Sequence, residues 1–184
     1  GETAPRKPGG VAAQLRDSPE LFRSPRVWGY ASTLGLASGA FFAYLGGGPY
    51  VGDQVFGMDP ATFGIYFGAP AVGYFLGNFI SGRFSIRFGV NWMVLMGSII
   101  CAAGISLNLL LFALGLGTPL SFFGLMSLMG LGNGMVIPNA TAGALSVRPH
   151  LAGTASGLSG ALMIGLGAAL SAVAGVVLNF GLGA

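Results

Sequence analysis

Of 184 residues, 53% are hydrophobic and only 7% are charged, eight basic and five acidic for a formal net charge of +3. A soluble domain carries about 25% charged residues, so this chain lacks the polar surface to face water on all sides, and a cytosolic enzyme is excluded. The single cysteine, Cys101, lies in an apolar run, which excludes a disulfide scaffold, and the basic residues form no continuous stripe, so nucleic acid is not expected as a partner.

Charge is strongly disfavoured at mid-bilayer, so the charged residues divide the sequence. Arg6, Lys7, Arg16, Arg23 and Arg26 all fall in residues 1–26, which are expected to be a linker. The membrane domain is expected over 27–184. A first span is expected near 27–47, before Asp53 and Asp59. A second, near 60–82, ends at Arg83. The stretch from Phe88 to Val147 is 60 residues without a formal charge; as one helix it would be about 90 Å long, far beyond a bilayer core of about 30 Å. Gly115-Leu116-Gly117-Thr118-Pro119 supplies the turn, giving spans near 90–114 and 119–146. Arg148, Pro149 and His150 precede a fifth span near 151–180.

Basic residues in the successive connections number five, zero, two, zero and one. Cytoplasmic loops are enriched in Lys and Arg, so the alternation predicts a cytoplasmic amino end, with Arg83, Arg87 and Arg148 on the same side. The Asp53/Asp59 loop and the Gly115 turn fall outside. An odd number of spans, and a start without methionine, are expected of a piece of a longer protein.

The chain holds 34 glycines. Lipid gives helices no hydrophobic drive to associate, so small residues that let backbones approach serve as the packing device. Gly35/Gly39, Gly64/Gly68, Gly73/Gly77 and Gly130/Gly134 have the four-residue step, and Gly153, Gly157, Ala161, Gly165 and Ala169 continue it along the fifth span. The polar groups within spans are few, chiefly Tyr30, Tyr44, Tyr66, Tyr74, Asn78, Asn108, Asn133 and Asn139. None is acidic, and His150 lies at a boundary, so if the complete protein is proton-coupled its coupling carboxylate is expected in the missing part.

Phe41, Phe42 and Tyr44 precede Gly46-Gly47-Gly48-Pro49-Tyr50, where the helix is expected to end or bend. Aromatic faces with one polar tip suit a small-molecule pocket, and interfacial anchoring is an equal alternative for Tyr44. Asn133 and Asn139 flank Pro138; repair of the freed backbone and substrate hydrogen bonding compete evenly there. Gly157-Leu158-Ser159-Gly160 has the form of an intramembrane protease motif. His150 precedes Ser159 by nine residues, more than about 13 Å along a helix, so no Ser-His pair forms. Asn139-Ala140-Thr141 is a sequon within a span, and Gly130–Gly134 has no strand before it to make a nucleotide loop.

Phe42-Ala43-Tyr44 with Gly48-Pro49-Tyr50-Val51, then Pro138-Asn139-Ala140-Thr141-Ala142, then Ala152-Gly153-Thr154-Ala155-Ser156-Gly157, closely resemble the carboxyl-terminal half of Bcr/CflA-type drug transporters of the major facilitator superfamily. Glu2-Thr3 is similar to the Glu-Thr after that family's sixth helix. The resemblance implies an all-α polytopic membrane protein whose five spans correspond to helices seven to eleven of twelve, part of the second six-helix bundle. Gly77, Gly82, Arg83, Arg87 and Gly89 resemble the degenerate copy of the superfamily's cytoplasmic loop motif; Ile86 stands where the stronger copy is acidic, so no charge relay is expected.

The resemblance also implies proton-driven export of small organic compounds across a bacterial inner membrane by alternating access. The partners implied are those compounds, the bilayer, protons handled by the missing half, and the missing amino-terminal half and last helix. No cofactor or metal is implied, and no bond in the substrate is made or broken. The substrate-cavity candidates are Phe41, Tyr44, Tyr66, Asn133 and Asn139. An uncoupled or specific metabolite facilitator, and a non-transporting membrane module, remain as alternatives.

Overall fold

The computed structural model describes residues 23–180, with side chains to residue 178. Most of the expected linker, and Glu2-Thr3, lie outside the described residues. The described residues are helical throughout, without strands. Helix α1 spans Pro25–Tyr50 and runs on as a π turn, Val51–Val55; α2 spans Pro60–Phe67, α3 Ala69–Phe88, α4 Val90–Ala113 and α5 Pro119–Val147. A 3-10 turn, Pro149–Leu151, leads into α6, Ala152–Phe180.

The helix starts follow local chemistry. Asp59 accepts hydrogen bonds from the Ala61 and Thr62 N–H groups, both at 3.1 Å, and Pro60 at the first position has no N–H to satisfy. Thr118 and Ser121 form a reciprocal capping box ahead of α5, again with proline, Pro119, at the first position.

Two expectations are corrected. The helix was expected to end or bend at Gly46–Pro49, yet α1 continues through that run to Tyr50 and then widens into the π turn. The second span was expected to stop at Gly82, with Arg83 and Arg87 in a loop. Both arginines instead occupy the last two turns of α3, and Gly89 alone separates α3 from α4. Gly89 has φ +84, a conformation that L side chains resist, so the chain reverses in a single residue. Arginine is a good helix former, and a cation is favourable at a helix carboxyl end.

Four helical stretches are long and apolar enough to cross a membrane: Pro60–Phe88, Val90–Ala113, Pro119–Val147 and Pro149–Leu178. Five were expected. α1 has the length, 26 residues, but six glycines, Ser32, Thr33 and Ser38 lower its apolarity. Its position gives the reason: it is flanked by α5 and α6, and nine of its 26 residues, Gly35, Ser38 and Gly39 among them, are buried.

α5 is the centre of the bundle. Gly73 and Gly77 of α3 interlock with Gly130 and Gly134 of α5: a Cβ at Gly73 would lie 1.9 Å from the Ser127 carbonyl oxygen, and one at Gly130 would lie 2.0 Å from that of Pro70. On another face Gly97 of α4 and Gly132 of α5 meet reciprocally, each Cβ position within 2.7 Å of the other's carbonyl oxygen. At these glycines a side chain would collide with the facing backbone. α1 meets α6 differently, as leucine knobs: Leu166 fills the notch at Gly35 and Leu170 that at Gly39. The four-residue step along α6 does not pack in this way. Side chains added at Gly153, Gly157 and Gly165 would meet open space, as would one at Gly64.

Candidate functional site

The bundle separates its charges. Asp53 and Asp59 share one end with the Gly115 turn, because Phe56 beside the π turn makes edge contacts with Phe112 of α4 and Phe122 of α5, at 5.9 and 6.2 Å. The other end collects Arg23 and Arg148, which line one cavity, and Arg87, whose guanidinium lies 5.4 Å over the Phe88 ring. Tyr30 of α1 donates to the Asn91 side chain there, joining the starts of α1 and α4.

Beneath the acidic end lies an aromatic cluster built around Phe123, which is fully buried. Tyr44 meets its ring edge-on at 6.4 Å, Phe63 at 6.0 Å and Phe122 at 5.0 Å, and Tyr66 meets it tilted at 5.9 Å. Tyr44 also stacks on Phe67 at 4.9 Å and donates its hydroxyl to the Phe67 carbonyl at 2.8 Å. Two of the cavity candidates, Tyr44 and Tyr66, thus converge on one ring. Phe41 stands apart from them, 37% exposed, with Phe42 as its ring neighbour.

Asn133 and Asn139 are buried in α5 and point to different neighbours. Asn133 donates to the Ala37 carbonyl of α1 at 2.9 Å, and its oxygen faces the Cys101 thiol of α4 at 3.9 Å. Asn139 donates to Ser81 of α3 at 2.6 Å and to the Met135 carbonyl at 2.8 Å, and accepts from Ser85 at 2.8 Å. One asparagine ties α5 to α1, the other ties it to α3. Such bonds in a bilayer are worth about 0.6–2 kcal/mol each, because the separated helix has no water to turn to.

Sequence reasoning missed Phe123, the hub of the cluster, since an adjacent pair of phenylalanines, Phe122 and Phe123, carries no spacing signal. Asn108, singled out in the sequence only as a polar group within a span, bonds the Phe122 carbonyl at 3.0 Å and fixes the rings' backbone.

The family pattern of the Major Facilitator Superfamily matches residues 2–175. The chain belongs to this superfamily of transporters. It is 31% identical over 183 residues to the uncharacterized MFS-type transporter YdgK of Bacillus subtilis, covering 95% of this chain and 44% of that protein. It is 27% identical over 153 residues to the bicyclomycin resistance protein homolog of Haemophilus influenzae, covering 83% of this chain and 38% of that one. The chain therefore spans less than half the length of these curated relatives. No solved structure matches it significantly. As a superfamily member with several membrane-capable helices, it is a multi-pass membrane protein.

Proposed function

We propose that the chain supplies the carboxyl-terminal half of a proton-coupled exporter of small organic compounds in a bacterial inner membrane, of the Bcr/CflA type, with its basic end in the cytoplasm. The aromatic cluster around Phe123 carries the drug-export reading. It offers flat apolar faces beside two tyrosine hydroxyls, chemistry suited to ring-containing compounds of mixed polarity. The similarity to a protein named for bicyclomycin resistance points the same way. Both curated relatives are bacterial, which supports the choice of membrane.

Within this reading the five cavity candidates divide the work. Phe41 and Tyr66 keep exposed surface and contact substrate, whereas Tyr44, Asn133 and Asn139 have hydrogen-bond partners within the bundle and shape the wall behind them. The described residues place no carboxylate among the packed helix faces, and the proton site belongs to the rest of the protein.

Export of a fluorescent organic cation by the full-length protein in vesicles tests the reading. F41A and Y66A should each lower export severalfold, and collapsing the proton gradient should abolish accumulation against a gradient. Unchanged export in both variants would remove the site assignment. Export indifferent to the gradient would make the protein a facilitator.

A further inference from the structure

The helix that begins beside Asp59 breaks after eight residues, and another helix bridges the break. Pro70 has no N–H to offer the Tyr66 carbonyl. The Ala71 N–H donates to the Gly68 carbonyl at 3.0 Å, one residue short of its regular acceptor, Phe67. The carbonyl of Phe67, left without its helical donor, is the one that the Tyr44 hydroxyl of α1 reaches at 2.8 Å.

The two sides of the break are held unequally. On the α3 side Pro70, Gly73 and Gly77 are buried against the α5 backbone, and Ser127 bonds the Ala69 carbonyl at 3.1 Å. On the other side α2 buries none of its residues. Its rings seat it: Phe63 and Tyr66 meet Phe123, and Phe63 and Phe67, one turn apart, lie against α1 and its π turn. A Cβ at Gly48 would lie 2.8 Å from the Phe67 ring, and one at Gly52 would lie 2.4 Å from the Phe63 ring. Gly48 and Gly52 are themselves one turn apart, so an aromatic ridge sits in a groove with no side chains of its own. Gly52 is the buried residue of the π turn that continues α1.

We propose that α2 is a flap hinged at Gly68, latched by the Tyr44 hydroxyl and the Gly48/Gly52 groove, whose release opens the aromatic cluster from the acidic end to a ring-containing substrate. What passes the flap rests on the transport reading above; the hinge and latch rest on the geometry alone. Tyr44 acts here as a positioning residue. Its hydroxyl takes up the Phe67 carbonyl freed at the break between α2 and α3, and its ring provides the surface on which Phe67 stacks.

Amide exchange of the full-length protein in phospholipid nanodiscs tests the latch. Y44F keeps the ring and removes the hydroxyl; exchange over residues 60–68 should rise about fivefold, the equivalent of one hydrogen bond of about 1 kcal/mol, while α4 keeps its rate. G48A leaves the hydroxyl in place but displaces the Phe67 ring, and it should speed the same segment. Unchanged exchange in both variants overturns the latch, and so does an equal rise in α4, which would mean general loosening. In vesicles, Y44F should change the maximal export rate more than the substrate concentration at half-rate; faster exchange with both export parameters unchanged overturns the gating role. A wild-type protein that exports none of the tested compounds would remove the transport reading and leave the exchange comparison to decide the flap.

Discussion

Asn139 illustrates why a lone amide in an apolar helix has a large effect. It satisfies two serine hydroxyls of α3 and a carbonyl of its own helix, so N139A leaves Ser81 and Ser85 without that partner in a buried place. The expected loss is about 1–3 kcal/mol, measured as a lower melting temperature of the detergent-solubilised full-length protein. N133A should cost less, because Ala37 is a helical carbonyl that keeps its backbone donor. Asp59 gives a prediction in pH. The Thr62 side chain, then the N–H groups of Thr62 and Ala61, hold its carboxyl below the ordinary aspartate value. A lowered folded value means the cap's contribution is complete above the unfolded pKa of about 3.9 and is lost as pH falls through the lower folded value. Protection of the first α2 amides should therefore be flat above about pH 4 and fall only in stronger acid. In D59N, which still caps but does not titrate, that acid step should vanish; an identical step in D59N would show that Asp59 is not its source.

At the scale of helices, the glycine crossing of α3 and α5 at Gly73, Gly77, Gly130 and Gly134 sets backbone against backbone, with no side chain there to yield. A Cβ at Gly134 would lie 2.4 Å from the Tyr74 carbonyl oxygen and 2.8 Å from the Asn78 nitrogen, both backbone atoms. G134A should therefore force the helices apart, at a cost of about 1–3 kcal/mol, and reduce the yield of folded protein. G157A, on the open face of α6, should leave both melting temperature and yield unchanged. The four-residue glycine step was legible in the sequence at Gly73/Gly77 and Gly130/Gly134. The same step at Gly153/Gly157/Gly165 looks identical and packs on nothing described, because spacing reports a smooth face and not what lies against it. The helix ends divide similarly. Pro60 and Pro119, each preceded by a capping side chain, mark starts that a reader of the sequence can place. The continuation of α1 through Gly46–Pro49 is set by its neighbours: Leu178 and Phe67 lie against Gly47 and Gly48, so tertiary contacts override local helix-breaking tendency. The convergence of Tyr44 and Tyr66 on Phe123 is likewise a property of helix packing, invisible to a search along one helix at a time.

Across the whole molecule, the charges and the packing describe one arrangement. Five arginines, Arg23, Arg26, Arg83, Arg87 and Arg148, belong to helix ends or turns at one pole, and Asp53 and Asp59 to the other. Between them large apolar side chains are exposed along the bundle, among them Ile65, Phe75, Phe79 and Leu109, as a lipid-facing surface requires. The alternation of basic residues predicts which pole faces the cytoplasm. Cysteine accessibility in intact cells, using the full-length protein with Cys101 replaced by serine, tests this most directly. D53C should react with a membrane-impermeant thiol reagent added outside, and R148C should react only after the cells are opened. Labelling of R148C from outside, with D53C protected until lysis, would contradict the orientation.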